Sequence, residues 1–176
     1  MKIAYADPPY PGCAHLYRDH PDFDGEVDHA VLLSNMNRIY DGWCLHTGSV
    51  ALAQVLRTAD RVLNDPDCFR IMAWTKPFAA FKANVSVAYA WEPVLVKAAR
   101  KPVVKQGMTY RDWIAESITL KRGLTGAKPE RVCHWLFEVM GCEPGDELFD
   151  LFPGTGAVTD AWQTWCSQRT LFEVPA

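Results

Sequence analysis

Short apolar runs alternate along this chain with longer amphipathic segments. The apolar runs predict strands at residues 2–6, 42–48, 69–74 and 88–99, followed by the strand ELFDLF and a last short strand, RTLFEV. Helical periodicity separates several of these strands. Strands that alternate with amphipathic helices predict a largely parallel sheet with helices on both faces.

Capping residues indicate where the helices begin. Asp28 is expected to cap a helix that runs to about Tyr40, and Ser49 is expected to cap a helix over residues 50–63. Pro129 suits the first turn of a third helix. The apolar face of that helix is predicted to consist of Val132, Trp135, Leu136 and Val139.

Two features interrupt the alternation. Residues 11–28 form a long polar stretch without an apolar period, and loops of that length in compact domains tend to be functional or disordered. Pro93 lies inside the strand over residues 88–99, and because proline lacks the N–H group that a central strand donates, it predicts a bulge or an edge position.

Length and composition limit the organisation of the chain. With 176 residues, of which 49% are hydrophobic, residues 1–176 are expected to form one domain without a separate target-recognition domain. No apolar run is long enough to cross a membrane, so we expect a soluble, cytoplasmic protein without a membrane partner. The six cysteines are scattered, which favours reduced thiols and predicts no metal site.

Charge is distributed unevenly, although the net charge is only −3. The segment 97–131 has nine basic and three acidic residues. Its basic residues are Lys97, Arg100, Lys101, Lys105, Arg111, Lys121, Arg122, Lys128 and Arg131. Such a block suits a surface that faces phosphates, and a solvated helix-and-loop face is the plainer alternative.

The stretch ADPPYPG places Asp7 directly after the first strand. Pro8 and Pro9 cannot continue a central strand, so they are expected to form a rigid turn. Asp7 is then left at the carboxyl end of a strand, where open α/β sheets usually bind their ligands.

The stretch DLFPGTG predicts a strand, a tight turn and the start of a helix. Gly154 and Gly156 allow the backbone to come close to a ligand at the helix N-terminus. Thr159 stands where a dinucleotide-binding motif has its third glycine, which disfavours NAD. Glu173 follows Gly156 by 17 residues, close to the spacing at which an acidic residue meets ribose hydroxyls, so the pair indicates an adenosyl ligand without a pyrophosphate.

DPPY and DLFPGTG together resemble the amino-methyltransferases that use S-adenosylmethionine to methylate the exocyclic amino group of adenine, or less often cytosine, in DNA. The order resembles the permuted subgroup, in which DPPY precedes FxGxG, and AKPERVCHWLF is similar to the KP-containing helix of that subgroup. The likeness extends to the adenine methyltransferases related to the messenger-RNA enzymes. It implies a Rossmann-like methyltransferase fold with a single mixed, mostly parallel sheet, here without a full C-terminal set of strands.

The resemblance implies roles for individual residues. Asp7, Pro8, Pro9 and Tyr10 are expected to be catalytic: the Asp7 carboxylate and the Pro8 carbonyl would accept hydrogen bonds from the target amine, and Tyr10 would stack on an extruded base. The residues expected to bind S-adenosylmethionine are Asp150, Phe152, Gly154, Gly156, Glu173 and Lys128. The residues expected to contact nucleic acid are Tyr17, Arg18, Lys105, Arg111, Lys121 and Arg122.

Other functions remain open at this stage. RNA adenine is a near alternative, because the motif does not distinguish the two polymers. Protein glutamine methylation is disfavoured, since that family resembles this one but carries Asn-Pro-Pro-Tyr after the glycine motif. A catalytically silent subunit would be expected to lose Asp7 or the glycines, and both are present. Target recognition would come from loop 11–28, from the basic segment or from a second subunit, such as a homodimer partner.

Overall fold

The protein has a six-stranded sheet with helices packed on its two faces. The computed structural model describes residues 1–18, 25–65, 67–78, 85–104, 107–118 and 127–172. The strands are β1 (Lys2–Ala6), β2 (Gly42–His46), β3 (Arg70–Thr75), β4 (Trp91–Lys97), β5 (Trp113–Ala115) and β6 (Glu147–Asp150). The helices are α1 (His29–Ile39), α2 (Leu52–Val62), α3 (Glu130–Val139) and α4 (Ala157–Phe172), with a short 3-10 helix at Ala14–Tyr17.

The strand order is β5-β3-β4-β2-β1-β6, and five strands run in one direction while β4 runs against them. The predicted mixed, mostly parallel α/β sheet is therefore confirmed. β1 and β6 are adjacent and parallel, with Tyr5 opposite Asp150, as the two motifs require. β6 is the edge strand of the described sheet, beside β1.

Pro93 does not mark an edge or a bulge. β4 pairs with β3 on one side and β2 on the other, and Pro93 lies opposite Ala73 in the β3–β4 register. The carbonyl of Pro93 accepts a hydrogen bond of 3.1 Å from the backbone N–H of Thr47. A proline is tolerated here because this position contributes an acceptor to the sheet, and the N–H that proline lacks is not needed for that bond.

Two apolar cores lie on opposite faces of the sheet. One contains Ile3, Tyr5 and Val94 of the strands together with side chains of α3 and α4, among them Phe137 and Trp165. The other contains Ala4, Trp43 and Leu95 together with Leu33 of α1 and Val55 of α2. Successive residues of β1 thus point into different cores, which is why this strand is apolar throughout.

Helix starts follow the sequence prediction in two cases of three. The Asp28 side chain caps α1 by accepting hydrogen bonds from the N–H groups of Ala30 and Val31. Pro129 stands at the N-cap position of α3. Ser49 is not the cap of α2, whose N-cap is Ala51 without a side-chain cap. Ser49 lies instead in the turn that leads into the helix.

The predicted last strand is wrong over residues 169–172, which belong to α4. No glycine or proline interrupts Ala157–Phe172, so nothing in the sequence breaks the helix before its end. The Arg169 side chain pairs with Glu138 of α3 and stacks over the Trp165 ring at 4.8 Å, which holds the last turns against the neighbouring helix. Glu173 lies outside the described residues.

The six cysteines are free thiols, with Cys44, Cys133 and Cys142 buried. Burial raises the pKa of both Cys133 and Cys142 to about 12. Within the described ranges, no helix has the length and apolar character needed to cross a membrane.

Candidate active site at the carboxyl ends of the strands

The two sequence motifs meet at one edge of the sheet. Asp7 follows β1 and Leu151 follows β6, and the Leu151 N–H group donates a hydrogen bond of 2.9 Å to the Tyr5 carbonyl. This bond extends the β1–β6 pairing by one residue at the carboxyl end. Burial raises the pKa of Asp150, and the negative charge of Asp7 raises it further. The predicted catalytic turn and the predicted cofactor turn are therefore neighbours.

Asp7 is held by Lys128, which precedes α3. The Lys128 Nζ atom lies 2.8 Å from Asp7 Oδ2 and 2.9 Å from Glu92 Oε1. Lys128 and Glu92 are buried, whereas the Asp7 side chain is 22% exposed. One ammonium group thus joins the end of β1 to β4 and fixes one oxygen of the Asp7 carboxylate.

Glu92 connects this ion pair to a buried hydrogen-bonded chain. Glu92 Oε1 lies 2.6 Å from His46 Nδ1, and His46 Nε2 lies 2.8 Å from the Tyr5 hydroxyl. Burial raises the pKa of Tyr5 well above its ordinary value, so its hydroxyl keeps its proton, and in a neutral His46 that carries its hydrogen on Nδ1 the Nε2 atom accepts a hydrogen bond from this hydroxyl. His46 Nδ1–H then donates to the Glu92 carboxylate.

The charges of this cluster support one another. Burial by itself would raise the pKa of Glu92, but Lys128, His46 and Lys76 together lower it well below its ordinary value. Burial would likewise lower the pKa of Lys128, but Asp7 and Glu92 raise it. Lys76 Nζ lies 2.9 Å from Glu92 Oε2. Two carboxylates are therefore matched by two ammonium groups.

Ligand atoms of Asp7, His46 and Glu92 lie within 4.8 Å of one another, a spacing that could suit a metal ion. Lys128 contacts both carboxylates and Lys76 contacts the second oxygen of Glu92. The positive charge that these carboxylates require thus comes from the protein's own ammonium groups.

The rest of the DPPY turn is compact. Pro8 is buried, and Pro9 and Tyr10 are partly exposed. The Tyr10 carbonyl accepts a hydrogen bond of 2.8 Å from the Cys13 N–H group, which closes the turn. The Tyr10 ring lies against Gly48, where an added Cβ atom would come within 3.0 Å of Tyr10 Cδ2. Gly48, after β2, therefore makes room for the aromatic ring beside Asp7.

The glycine turn after β6 is open. Gly154 and Gly156 have φ angles of +46° and +75°, in the region that favours glycine. Among the described residues, a Cβ atom added to Gly156 would meet nothing within 4 Å, and one added to Gly154 would meet only the Phe152 carbonyl, at 3.8 Å. Asp150 Oδ1 accepts a weak hydrogen bond of 3.3 Å from the Phe152 N–H, whereas Oδ2 is buried and has no hydrogen-bond partner in the described part of the chain. An unpaired buried oxygen beside a turn with free space is the arrangement expected where a ligand donates a hydrogen bond.

Solved structures share this architecture at low sequence identity. The complex of M1.HpyAVI with SAM superposes with a TM-score of 0.58 and 14% identity, covering 94% of this chain and 78% of that chain. A second structure of M1.HpyAVI superposes with a TM-score of 0.55 and 12% identity, covering 93% of this chain and 75% of that chain. This chain therefore shares the fold of M1.HpyAVI, with its mixed, mostly parallel sheet and helices.

Sequence comparisons add nothing to this likeness. No protein-family model matches the chain, and no curated protein matches it. A third structural match, to the Thermus thermophilus protein TTHA0409, covers 100% of this chain and 88% of that chain at 16% identity. Its TM-score of 0.45 is too low to support a conclusion.

Four cations in the described part of the basic segment already have acceptors within the protein. Lys97 donates to Asn37, Arg100 donates to Asp146 and the Gly141 carbonyl, Lys128 lies in the buried cluster, and Arg131 pairs with Glu116. Lys97, Arg100 and Lys128 are partly or fully buried, whereas the Arg131 side chain is 75% exposed. Composition did not show this because it does not record which side chains already have acceptors.

The other expected nucleic-acid contacts have different positions. Arg111 is exposed and its guanidinium lies 5.3 Å from the Trp113 ring centroid. Arg18 is exposed at the end of the 3-10 helix, and Tyr17 is the last residue of that helix. Lys105, Lys121 and Arg122 lie outside the described residues.

Sequence reasoning missed part of the site. Glu92 was predicted only as part of the strand over residues 88–99, but it lies in the buried cluster, and no role was predicted for His46 or Lys76. A signal was present, because His46 and Glu92 are polar residues within otherwise apolar strands. Buried polar residues of this kind need partners, and their presence in two strands indicates that they bond to each other.

Proposed function

We propose that this protein transfers a methyl group from S-adenosylmethionine to the exocyclic amino group of adenine in DNA. The observation that carries the proposal is the placement of the Asp7 carboxylate and the open glycine turn at the carboxyl ends of the adjacent parallel strands β1 and β6. A reaction between two ligands needs two subsites that share a boundary, and this edge of the sheet supplies them.

The glycine turn is the proposed cofactor subsite. The backbone of Phe152 to Gly156 would lie against the cofactor, and Asp150 Oδ2 would accept a hydrogen bond from it. We also assign Lys128 and Glu173 to this subsite, with Glu173 near the ribose. The M1.HpyAVI complex with SAM supports this cofactor, because its fold is shared by this chain.

Asp7 and the turn behind it would align the amine. The lone pair of an aromatic amine is delocalised into the ring, so the amine needs alignment more than it needs a strong base. Lys128 occupies Asp7 Oδ2, which leaves Oδ1 to accept one amine N–H, and the Pro8 carbonyl would accept the other. The amine nitrogen would form a bond to the methyl group as the methyl–sulfur bond of the S-adenosylmethionine sulfonium breaks. S-adenosylhomocysteine would leave, and the amine would lose one of its protons to solvent. Because the prolines fix the carbonyl and Lys128 fixes the carboxylate, little reorganisation is needed at the transition state.

The base would have to leave its helix to reach this pocket. Tyr10, which lies beside Asp7 and against Gly48, is the aromatic surface on which it would stack. Phosphate contacts are assigned to Tyr17, Arg18, Lys105, Arg111, Lys121 and Arg122. With one domain over residues 1–176, target recognition would come from these segments or from a second copy of the chain.

The test is a tritiated-methyl transfer assay over DNA, RNA and protein substrates, followed by digestion to nucleosides. Tritium in N6-methyladenine from DNA is the expected result. Label in methylated adenine from RNA, in N4-methylcytosine or in protein would replace the assigned substrate while keeping methyl transfer. Absence of label on all three substrates, with S-adenosylmethionine bound, would favour a catalytically silent subunit.

A further inference from the structure

Glu92 accepts more hydrogen bonds than any other side chain of the buried cluster. Its Oε1 atom accepts from His46 Nδ1 at 2.6 Å and from Lys128 Nζ at 2.9 Å, while Oε2 accepts from Lys76 Nζ at 2.9 Å. The side chain is only 6% exposed. Because β4 runs against the other strands, residues at its amino end lie beside the carboxyl ends of β2 and β3, at the edge of the sheet that holds Asp7.

Stability alone gives little reason for this arrangement. A buried ion pair can often be replaced by apolar residues without loss of stability, because removing charges from water costs about as much as their attraction returns. The geometry, in contrast, has a clear consequence for the reaction. Lys128 is the only described cation that contacts Asp7, and its second contact is Glu92. The position of the Asp7 carboxylate therefore depends on where Glu92 holds the ammonium group.

We propose that Glu92 is a positioning residue for methyl transfer: it holds Lys128 Nζ at the point where this ammonium group fixes Asp7 Oδ2 and turns Oδ1 to the amine. The inference rests on the proposed function. His46 and Tyr5 extend the assembly into the core, because Tyr5 donates to His46 and His46 donates to Glu92. A continuous series of contacts leads from Tyr5 of β1, through side chains of β2 and β4 and then through Lys128, to Asp7. Because Asp7 is only two residues after Tyr5, these contacts form a closed loop, which leaves the Asp7 carboxylate little freedom.

The decisive variant is Glu92→Gln combined with Lys76→Met. Glu92→Gln alone leaves two ammonium groups against one carboxylate, and that imbalance could prevent folding. The double variant removes one negative and one positive charge, so the Asp7–Lys128 pair remains balanced. The glutamine still offers an oxygen to His46 and Lys128, but the bond to Lys128 is no longer between opposite charges and is weaker. Single Lys76→Met supplies the reference rate.

We expect the single-turnover rate of the double variant, with both substrates saturating, to fall about 10- to 100-fold below the Lys76→Met rate, because small displacements of aligned groups cost this much. Thermal unfolding should remain cooperative. Glu116→Gln is the matched control: it also removes a carboxylate that pairs with a cation, Arg131, but outside the cluster, and it should keep the wild-type rate.

The pH profile separates positioning from packing. The groups that face Lys128 are Asp7, Glu92 and Cys133, and His46 and Lys76 face it through Glu92. Asp7 and Glu92 raise the pKa of Lys128 against the effect of burial. Because Glu92→Gln removes one of these two negative charges, the pKa of Lys128 should fall in the double variant. The double variant should therefore lose activity at alkaline pH, where Lys76→Met does not. NMR titration of 15N-labelled lysine Nζ atoms should show Lys128 losing its proton at lower pH in the double variant.

Each result decides a separate point. A double variant with the rate and pH profile of Lys76→Met would overturn the inference, since Glu92 would then only balance charge. An unchanged Lys128 titration would overturn it as well. A wild-type protein that transfers no methyl group would refute the proposed function, and the NMR titration would still decide whether Glu92 holds Lys128.

Discussion

The two turns that form the candidate site differ in how far the protein has satisfied their polar groups. After β1, Asp7 is bound to Lys128, which is bound to Glu92, and this chain of bonds continues to His46 and Tyr5. After β6, the described atoms leave free space beside the glycine turn, and a buried Asp150 oxygen has no partner among the described residues. The polar groups of the first turn are thus bonded within the protein, whereas the second turn has a buried acceptor that the described residues leave unsatisfied.

This difference is expected if the first turn aligns a reacting atom and the second turn binds a ligand. A group that aligns a reacting atom must already be in place, because reorganisation during the reaction would raise the barrier. A group that binds a ligand must be available for new hydrogen bonds, because affinity comes from contacts that the free protein does not make. Substitutions in each turn can test whether the turn after β1 aligns the target amine and the turn after β6 binds the cofactor.

Asp7→Asn is expected to have the largest effect, a loss of transfer of about 1,000-fold. An amide has one acceptor oxygen, and Lys128 would take it, so the NH2 group would face the target amine and repel it. Single-turnover kinetics measures the loss, and calorimetry should show S-adenosylmethionine binding close to wild type.

Asp41→Asn is the matched control for this variant. Asp41 accepts a hydrogen bond from the Lys2 N–H at the opposite end of β1, so its replacement should leave transfer unchanged. Wild-type transfer by Asp7→Asn would show that the rigid turn does not align the amine.

Gly154→Val should act on the other turn, weakening S-adenosylmethionine binding by about 2–3 kcal/mol, or roughly 100-fold. The added side chain would enter the open space that we assign to the cofactor. Gly107→Val controls for backbone strain, because Gly107 also has a positive φ angle, +78°, and no described atom within 4 Å of an added Cβ atom, but belongs to neither of the two turns. Calorimetry that gives equal affinities for the two variants would place the cofactor elsewhere.

Lys128→Met should lower the free energy of unfolding at neutral pH by about 3 kcal/mol, because Glu92 and Asp7 lose their shared cation. The folded-state pKa of Glu92 is lowered, so its stabilising contribution is present above its unfolded-state pKa of about 4.3 and is lost as the pH falls through the folded value. Without Lys128 the folded-state pKa rises, so acid unfolding should begin at a higher pH, and the difference from wild type should shrink below about pH 4.

Urea unfolding between pH 3 and pH 8 measures this difference. Lys97→Met is the control, because Lys97 also donates inside the fold, but to the neutral Asn37 side chain. Its effect on stability should not vary with pH in this range. A Lys128→Met effect that is equally independent of pH would mean that Glu92 is not held by charge.

The smallest expected effect concerns DNA binding. Replacing Lys121 and Arg122 together by alanine should weaken binding and reduce the salt slope, the dependence of log K on log salt, by about 2, since each phosphate contact contributes about 0.9. Arg131→Ala is the control, because Arg131 already pairs with Glu116 and should change the slope little. A filter-binding salt titration with equal slopes for both variants would assign the basic segment to the solvated surface.

Much of the local structure could be predicted from the sequence. Asp28 caps α1, the strand KIAYA is followed by a proline turn, and DLFPGTG forms a strand, a glycine turn and a helix. These features depend on the conformational limits of proline and glycine and on bonds between residues two or three positions apart. Such properties belong to the chain itself, so they can be read without knowledge of its neighbours.

Other features were decided only when distant segments came together. Pro93 entered a central strand because its neighbours use its carbonyl, residues 169–172 stayed helical against α3, and four cations of the basic segment found acceptors within the fold. The same holds for the site. That Asp7 and the glycine turn each follow a strand could be predicted from local sequence. The position of Glu92, 85 positions beyond Asp7 and one ammonium group away from it, depends on the folded arrangement of distant segments. Charge pairing depends on distances in space, and those exist only after the sheet has formed.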